Sequence, residues 1–89
     1  MRTIIESEIV SDTIDREQVK HPRLPEAFDA LKWWLAHEPD SGYLLDDLNW
    51  ICRQLGNQQQ VIPSLVAIYT FDSESVYIKF ILVRIAAVG

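Results

Sequence analysis

The chain has little of what small proteins use to staple themselves or to do chemistry. It holds one cysteine, three glycines and two histidines in 89 residues. A lone Cys52 excludes an intrachain disulfide, which fits a reducing cytoplasm, and its place in an apolar run marks it as a small buried hydrophobe rather than a nucleophile. Three glycines leave no phosphate-cradling loop, and no serine sits in a G-x-S-x-G turn. His21 and His37 lack partners at metal-ligand spacing, so no metal and no cofactor is expected. The longest apolar runs are of strand length and are broken by Lys79 and Arg84, and the first residues do not form a basic segment ahead of an apolar one. Neither a membrane span nor a secretion signal is expected, and a cytoplasmic location is.

Basic residues are also scarce. Eight Lys and Arg stand against 13 Asp and Glu, net charge -5. The imbalance is local: residues 1–49 hold 11 acidic and 5 basic side chains, and residues 50–89 hold 2 and 3. Nucleic-acid binders draw affinity from phosphate neutralisation along a basic stripe, and this chain has none in its sequence.

What is present reads as one α+β domain over residues 1–89. Thr3 to Val10 is rich in β-branched residues and reads as an edge strand. Ser11 to His21 is polar, with Asp12 able to cap a short helix that ends before Pro22. The strongest helix runs from Pro25 to about His37, with proline in its first turn and Pro39 just beyond its end. At 100° per residue Ala27, Phe28, Leu31, Trp34 and Leu35 form its apolar stripe. Trp33 falls on the polar side, either covered by segment 14–24 folding back or exposed as an aromatic anchor for a partner. Asp40-Ser41-Gly42 signals a turn, residues 43–47 a loop or a further turn, and Asn49 to Leu55 a strand with Trp50 and Cys52 on one face and Ile51, Arg53 and Leu55 on the other.

Leu65 to Ala86 is an apolar hairpin around Asp72-Ser73-Glu74-Ser75. Strict alternation puts Leu65, Ala67, Tyr69 and Phe71 opposite Val66, Ile68 and Thr70, then Val76, Ile78, Phe80 and Leu82 opposite Tyr77, Ile81, Val83 and Ile85. Neither face looks wet, and the chain is too short to cover both, so a partner is expected to supply a second layer. The expected architecture is one or two N-terminal-half helices packed on a four-stranded, mainly antiparallel sheet.

Adjacent Asp46 and Asp47 would point apart in an extended segment and serve better as caps than as an acid-base pair. Arg53, Lys79, Arg84, Tyr69 and Tyr77 remain as groups from which a metal-independent phosphodiester-cleaving site could be assembled. On strict alternation Tyr77 and Lys79 share one face while Arg84 faces the other way, so the cations are expected not to converge.

The strings LPEAFDALKWWLAHEPDSGY, NWICRQL and LVAIYTFDSESVYIKFILVRI together resemble the RelE/ParE superfamily of bacterial toxin-antitoxin toxins over residues 24–86. There a helix ending in a P-x-x-G turn precedes an arginine-bearing strand and a hairpin of the form hhYxhxxxxVxIhxhxxR. Pro39, Gly42, Arg53, Tyr69, Val76 and Arg84 occupy those places. The resemblance implies a small cytoplasmic protein that cleaves mRNA on the ribosome or poisons gyrase, silenced by an antitoxin wrapped on the sheet. The expected function is therefore toxin-like protein binding, with an antitoxin or a second copy seated against Trp33, Tyr77, Ile81 and Val83. The alternatives are a ribosome-dependent endoribonuclease that uses the cations, and a stand-alone homodimeric interaction protein.

Overall fold

Ser7 splits the first expected strand. Its hydroxyl accepts the Val10 N–H at 3.2 Å and donates to the Lys79 carbonyl at 2.9 Å, so it caps a helix instead of continuing a strand. The computed structural model describes residues 1–85. It begins with strand β1 (Thr3–Glu6), followed by helix α1 (Glu8–Glu17). The β-branched run Ile9-Val10 is therefore helical, because the cap, the Glu8 charge in the first turn and burial of Val10 in the core outweigh local strand propensity.

Helix α2 (Leu24–His37) matches its sequence signature closely. Ala27, Phe28, Leu31 and Leu35 are buried, and Trp34 packs half-buried against the same core. Trp33 is not covered by segment 14–24: it is 64% exposed and stacks on His37, with ring centroids 4.1 Å apart. After α2 a 3-10 turn over Pro39–Ser41 leads into β2 (Tyr43–Leu44), β3 (Trp50–Gln54), β4 (Ser64–Phe71) and β5 (Ser75–Arg84).

Five strands, not four, form the sheet in the order β1-β5-β4-β3-β2. β2 arises where a loop is expected. The sheet is mixed, because β1 runs parallel to β5 while the other pairs are antiparallel. The chain crosses from one edge of the sheet to the other through α1 and α2, and both helices cover one face. Leu31, Leu35, Cys52, Leu65, Ala67, Tyr69, Val76, Ile78 and Ile81 form the core between the layers.

Strict alternation fails in β5. Ile68 pairs with Phe80 and Tyr69 with Ile78, so Lys79 is an extra residue with no partner in β4, a β-bulge. The bulge reverses the parity of everything after it. Ile81 joins Val76 and Ile78 in the core at 1% exposure, and Val83 packs against the core beside it. Phe80, Leu82 and Arg84 move to the opposite face, with Tyr77. The expected open-face placement of Ile81 and Val83 is thus corrected. The expected end of the hairpin at Ala86 lies outside the described residues.

Candidate binding face

The P-x-x-G turn and Tyr69 belong together structurally. Tyr69 is fully buried, and its hydroxyl donates to the Pro39 carbonyl at 2.5 Å. A Cβ at position 42 would stand 2.5 Å from that hydroxyl oxygen and 2.7 Å from the Ile51 carbonyl, so only glycine lets the turn close on the strand. Burial pushes the Tyr69 phenol up to about 12. Tyr69 therefore ties the turn to the sheet, and as a buried neutral donor it is withdrawn from the candidate chemical groups. Cys52 is likewise in the core, its thiol pushed up to about 11 by burial, which leaves it protonated and unreactive.

The face turned away from the helices is where the remaining candidates meet. Cross-strand register sets Arg53 level with Val66 and Leu82, and Ser64 level with Arg84. One strand, β4, lies between Arg53 and β5, so two inter-strand spacings, roughly 10 Å, separate them. Arg53 and Arg84 line one shallow groove of about 520 Å³, floored by Val66 and Leu82. The bulge, invisible to alternation because both sides of β5 are apolar, is what brings Arg84 here. The expectation that strand parity separates the cations is overturned.

Lys79 reaches the same face by a different route. Its ammonium donates to Asn49 Oδ1 at 2.6 Å, and Asn49 Nδ2 donates to both carboxylate oxygens of Asp46, at 3.1 and 3.0 Å. Asp46 Oδ1 also accepts the backbone N–H groups of Leu48 and Asn49. These hydrogen bonds, the Asn49 side chain first, hold the Asp46 carboxyl below its usual range. Asp46 thus acts as the cap of a turn, and through Asn49 it steadies Lys79. The sequence signal for this arrangement is the D-x-x-N spacing ahead of a strand.

Charge is segregated by face. Strands β2, β3, β4 and β5 contain no Asp or Glu, and they carry Arg53, Lys79 and Arg84. The one strand carboxylate, Glu6 of β1, turns toward α2 and pairs with Lys32 at 3.5 Å. The other acidic residues lie on helices, turns and loops. Interspersed with the cations are uncovered apolar groups: Tyr77 is 37% exposed, Phe80 44% and Ile5 43%.

Tyr77 and Lys79 are the proton-carrying side chains on this face, with the Asp72 carboxylate of the hairpin turn beside the Tyr77 hydroxyl and Asp46 near Lys79. Such a set can hold an anion and stabilise developing negative charge. Among the described residues no three His, Cys, Asp or Glu side chains converge as metal ligands, and no helix is long and apolar enough to cross a membrane. Comparison with known proteins finds no matching family, curated protein or solved structure.

Proposed function

We propose that this chain is a RelE/ParE-like toxin component that works by protein binding through its open sheet face, where an antitoxin silences it in the cytoplasm. The observation that carries this reading is the pairing of uncovered Tyr77, Phe80 and Ile5 with three cations on a face whose long strands lack carboxylates. An apolar surface whose strands carry cations suits a partner segment of complementary charge, since charge sets encounter and register while apolar burial supplies affinity. Support also comes from the tie between Pro39, Gly42 and Tyr69, which gives the motif residues of the resemblance one shared structural role.

A second reading, a ribosome-dependent mRNA endoribonuclease, is favoured by one specific observation. The bulge at Lys79 puts Arg84 on the same face as Arg53, and the two guanidiniums line one groove where a phosphodiester and its developing charge could be held. One experiment separates the two readings. Wild type, Arg53→Ala, Arg84→Ala and Phe80→Glu are expressed in bacteria, growth is followed and mRNA ends are mapped. Binding predicts growth arrest without codon-phased cuts, relieved by Phe80→Glu. Codon-phased cuts that vanish in either arginine variant replace it with the nuclease, and no growth arrest in wild type overturns both.

A further inference from the structure

A notch interrupts the outer edge of the sheet beside Arg53. Tyr43 pairs with Ile51, so antiparallel register sets Gly42 level with Cys52, and there β2 meets the 3-10 turn Pro39–Ser41. Asn49 O accepts the Leu45 N–H at 2.8 Å, and alternation along β3 then turns the Arg53 N–H and C=O to the same outer side, past the end of β2. One residue of free backbone is too little to seat another strand. The space beside it is larger: a cleft of about 550 Å³, within the roughly 300 to 1,000 Å³ typical of small-molecule sites. Trp34, Tyr43, Ile51, Leu55 and Val66 line it with apolar and aromatic surface, and among the described residues Arg53 is its one charged lining residue.

We propose that this cleft binds a small aromatic carboxylic acid as its anion, with the carboxylate on Arg53 and the ring system against Trp34 and Leu55. The charge of the ligand follows from Arg53, which has no carboxylate in ion-pair range among the described residues, and from the lack of any acidic side chain in the lining. The planar fork of a guanidinium matches the two oxygens of a carboxylate. The apolar body follows from the walls. Tyr43 is 77% exposed and Leu55 79%, area that a ligand takes out of water. The Cys52 thiol in the lining, pushed up to about 11, stays protonated and offers no competing anion. A phosphate ester is the poorer fit, because the second guanidinium, that of Arg84, lines the neighbouring groove and not this cleft. The inference is independent of the toxin reading, since it concerns the edge of the sheet and its test does not involve growth arrest.

The test titrates the whole isotope-labelled chain with 2-naphthoate and with its neutral counterpart 2-naphthamide, followed by amide and indole N–H shifts in NMR. With the naphthoate, saturable shift changes are expected at the Trp34 indole and at residues 42–43 and 52–55, while Tyr77 and Phe80 on the open face do not respond. The naphthamide binds about fivefold more weakly, the factor that an exposed ion pair of about 1 kcal/mol supplies. Arg53→Gln brings the naphthoate down to the affinity of the naphthamide and leaves the naphthamide unchanged. Leu55→Ser, at a position outside the core, weakens both probes by the same factor. Equal affinity of wild type for the two probes overturns the proposal, as does an Arg53→Gln chain that still prefers the acid. Shift changes centred on Tyr77 and Phe80, or no saturable change up to millimolar probe, overturn it as well.

Discussion

The two faces of one sheet obey different physics. Toward the helices, β4 and β5 present Leu65, Ala67, Tyr69, Val76, Ile78 and Ile81, all essentially without solvent exposure. Toward solvent, the same strands present Val66, Ile68 and Thr70 half-buried by their neighbours, together with Tyr77, Phe80, Lys79 and Arg84. Apolar residues stand on both sides, yet one side is a packed interior and the other a partly apolar surface whose strands carry cations. An apolar face without a layer on it stabilises the folded chain little. Its value lies in what it can bind.

The bulge at Lys79 decides which residue belongs to which face, so the largest effect is expected there. Ile81→Lys buries an unpaired ammonium in the core and should destabilise by more than about 4 kcal/mol. Circular dichroism in a denaturant series is the check. A folded, near-wild-type Ile81→Lys would mean that β5 alternates strictly and has no bulge.

Leu31→Ala comes next, since Leu31 is fully buried between α2 and the sheet. Truncation with incomplete collapse around the cavity should lower stability by about 2 to 5 kcal/mol. An unchanged denaturation midpoint would remove α2 from the core layer.

Tyr69→Phe sharpens the comparison at a single atom. The ring stays packed, while the Pro39 carbonyl loses its donor inside the protein. Leaving a buried acceptor unmatched should take away about 1 to 3 kcal/mol. If Tyr69→Phe instead abolishes growth arrest at unchanged stability, the hydroxyl has a role beyond tying down the turn.

The same contrast shows how far the chain could be read without a structure. Helix α2 was legible because Pro25, Pro39 and the spacing of Ala27, Phe28, Leu31 and Leu35 all point to one element. The hairpin was legible as two apolar runs about a polar turn, in which Asp72 Oδ1 accepts the N–H groups of Glu74 and Ser75 at 2.8 Å each. Alternation in β3 also placed Arg53 on the right side. What escaped was long-range in origin. The helical fate of Ile9-Val10 depends on a core position for Val10 and on a bond from Ser7 to Lys79, 72 residues away. The bulge left no mark, because shifting an apolar strand by one residue exchanges one apolar face for another. Arg53, Lys79 and Arg84 are visible in the sequence as the cations of the strands, but their shared face depends on that single extra residue. Strand β2, two residues long, exists through pairing with β3 and has no periodic signature of its own.

The smallest expected effect closes the comparison. Phe80 is the immediate neighbour of Ile81, but the bulge leaves it 44% exposed on the face without a layer. Phe80→Lys takes apolar area out of partial contact and adds a fourth cation beside Lys79 and Arg84. Neither change opens a cavity or buries a charge, so stability should stay within about 0.5 kcal/mol of wild type. Binding is where the change should register. A new charge in the middle of the apolar patch removes the area a partner would bury, so association through this face should weaken while the melting transition stays in place. Set against Ile81→Lys, the pair forms a two-residue assay of the sheet: adjacent positions, the same substitution, and opposite consequences. Equal destabilisation by both would show that Phe80 too is an interior residue and that both faces of the sheet are covered in solution. A stable Phe80→Lys that binds its partner as tightly as wild type would move the interaction surface off this face.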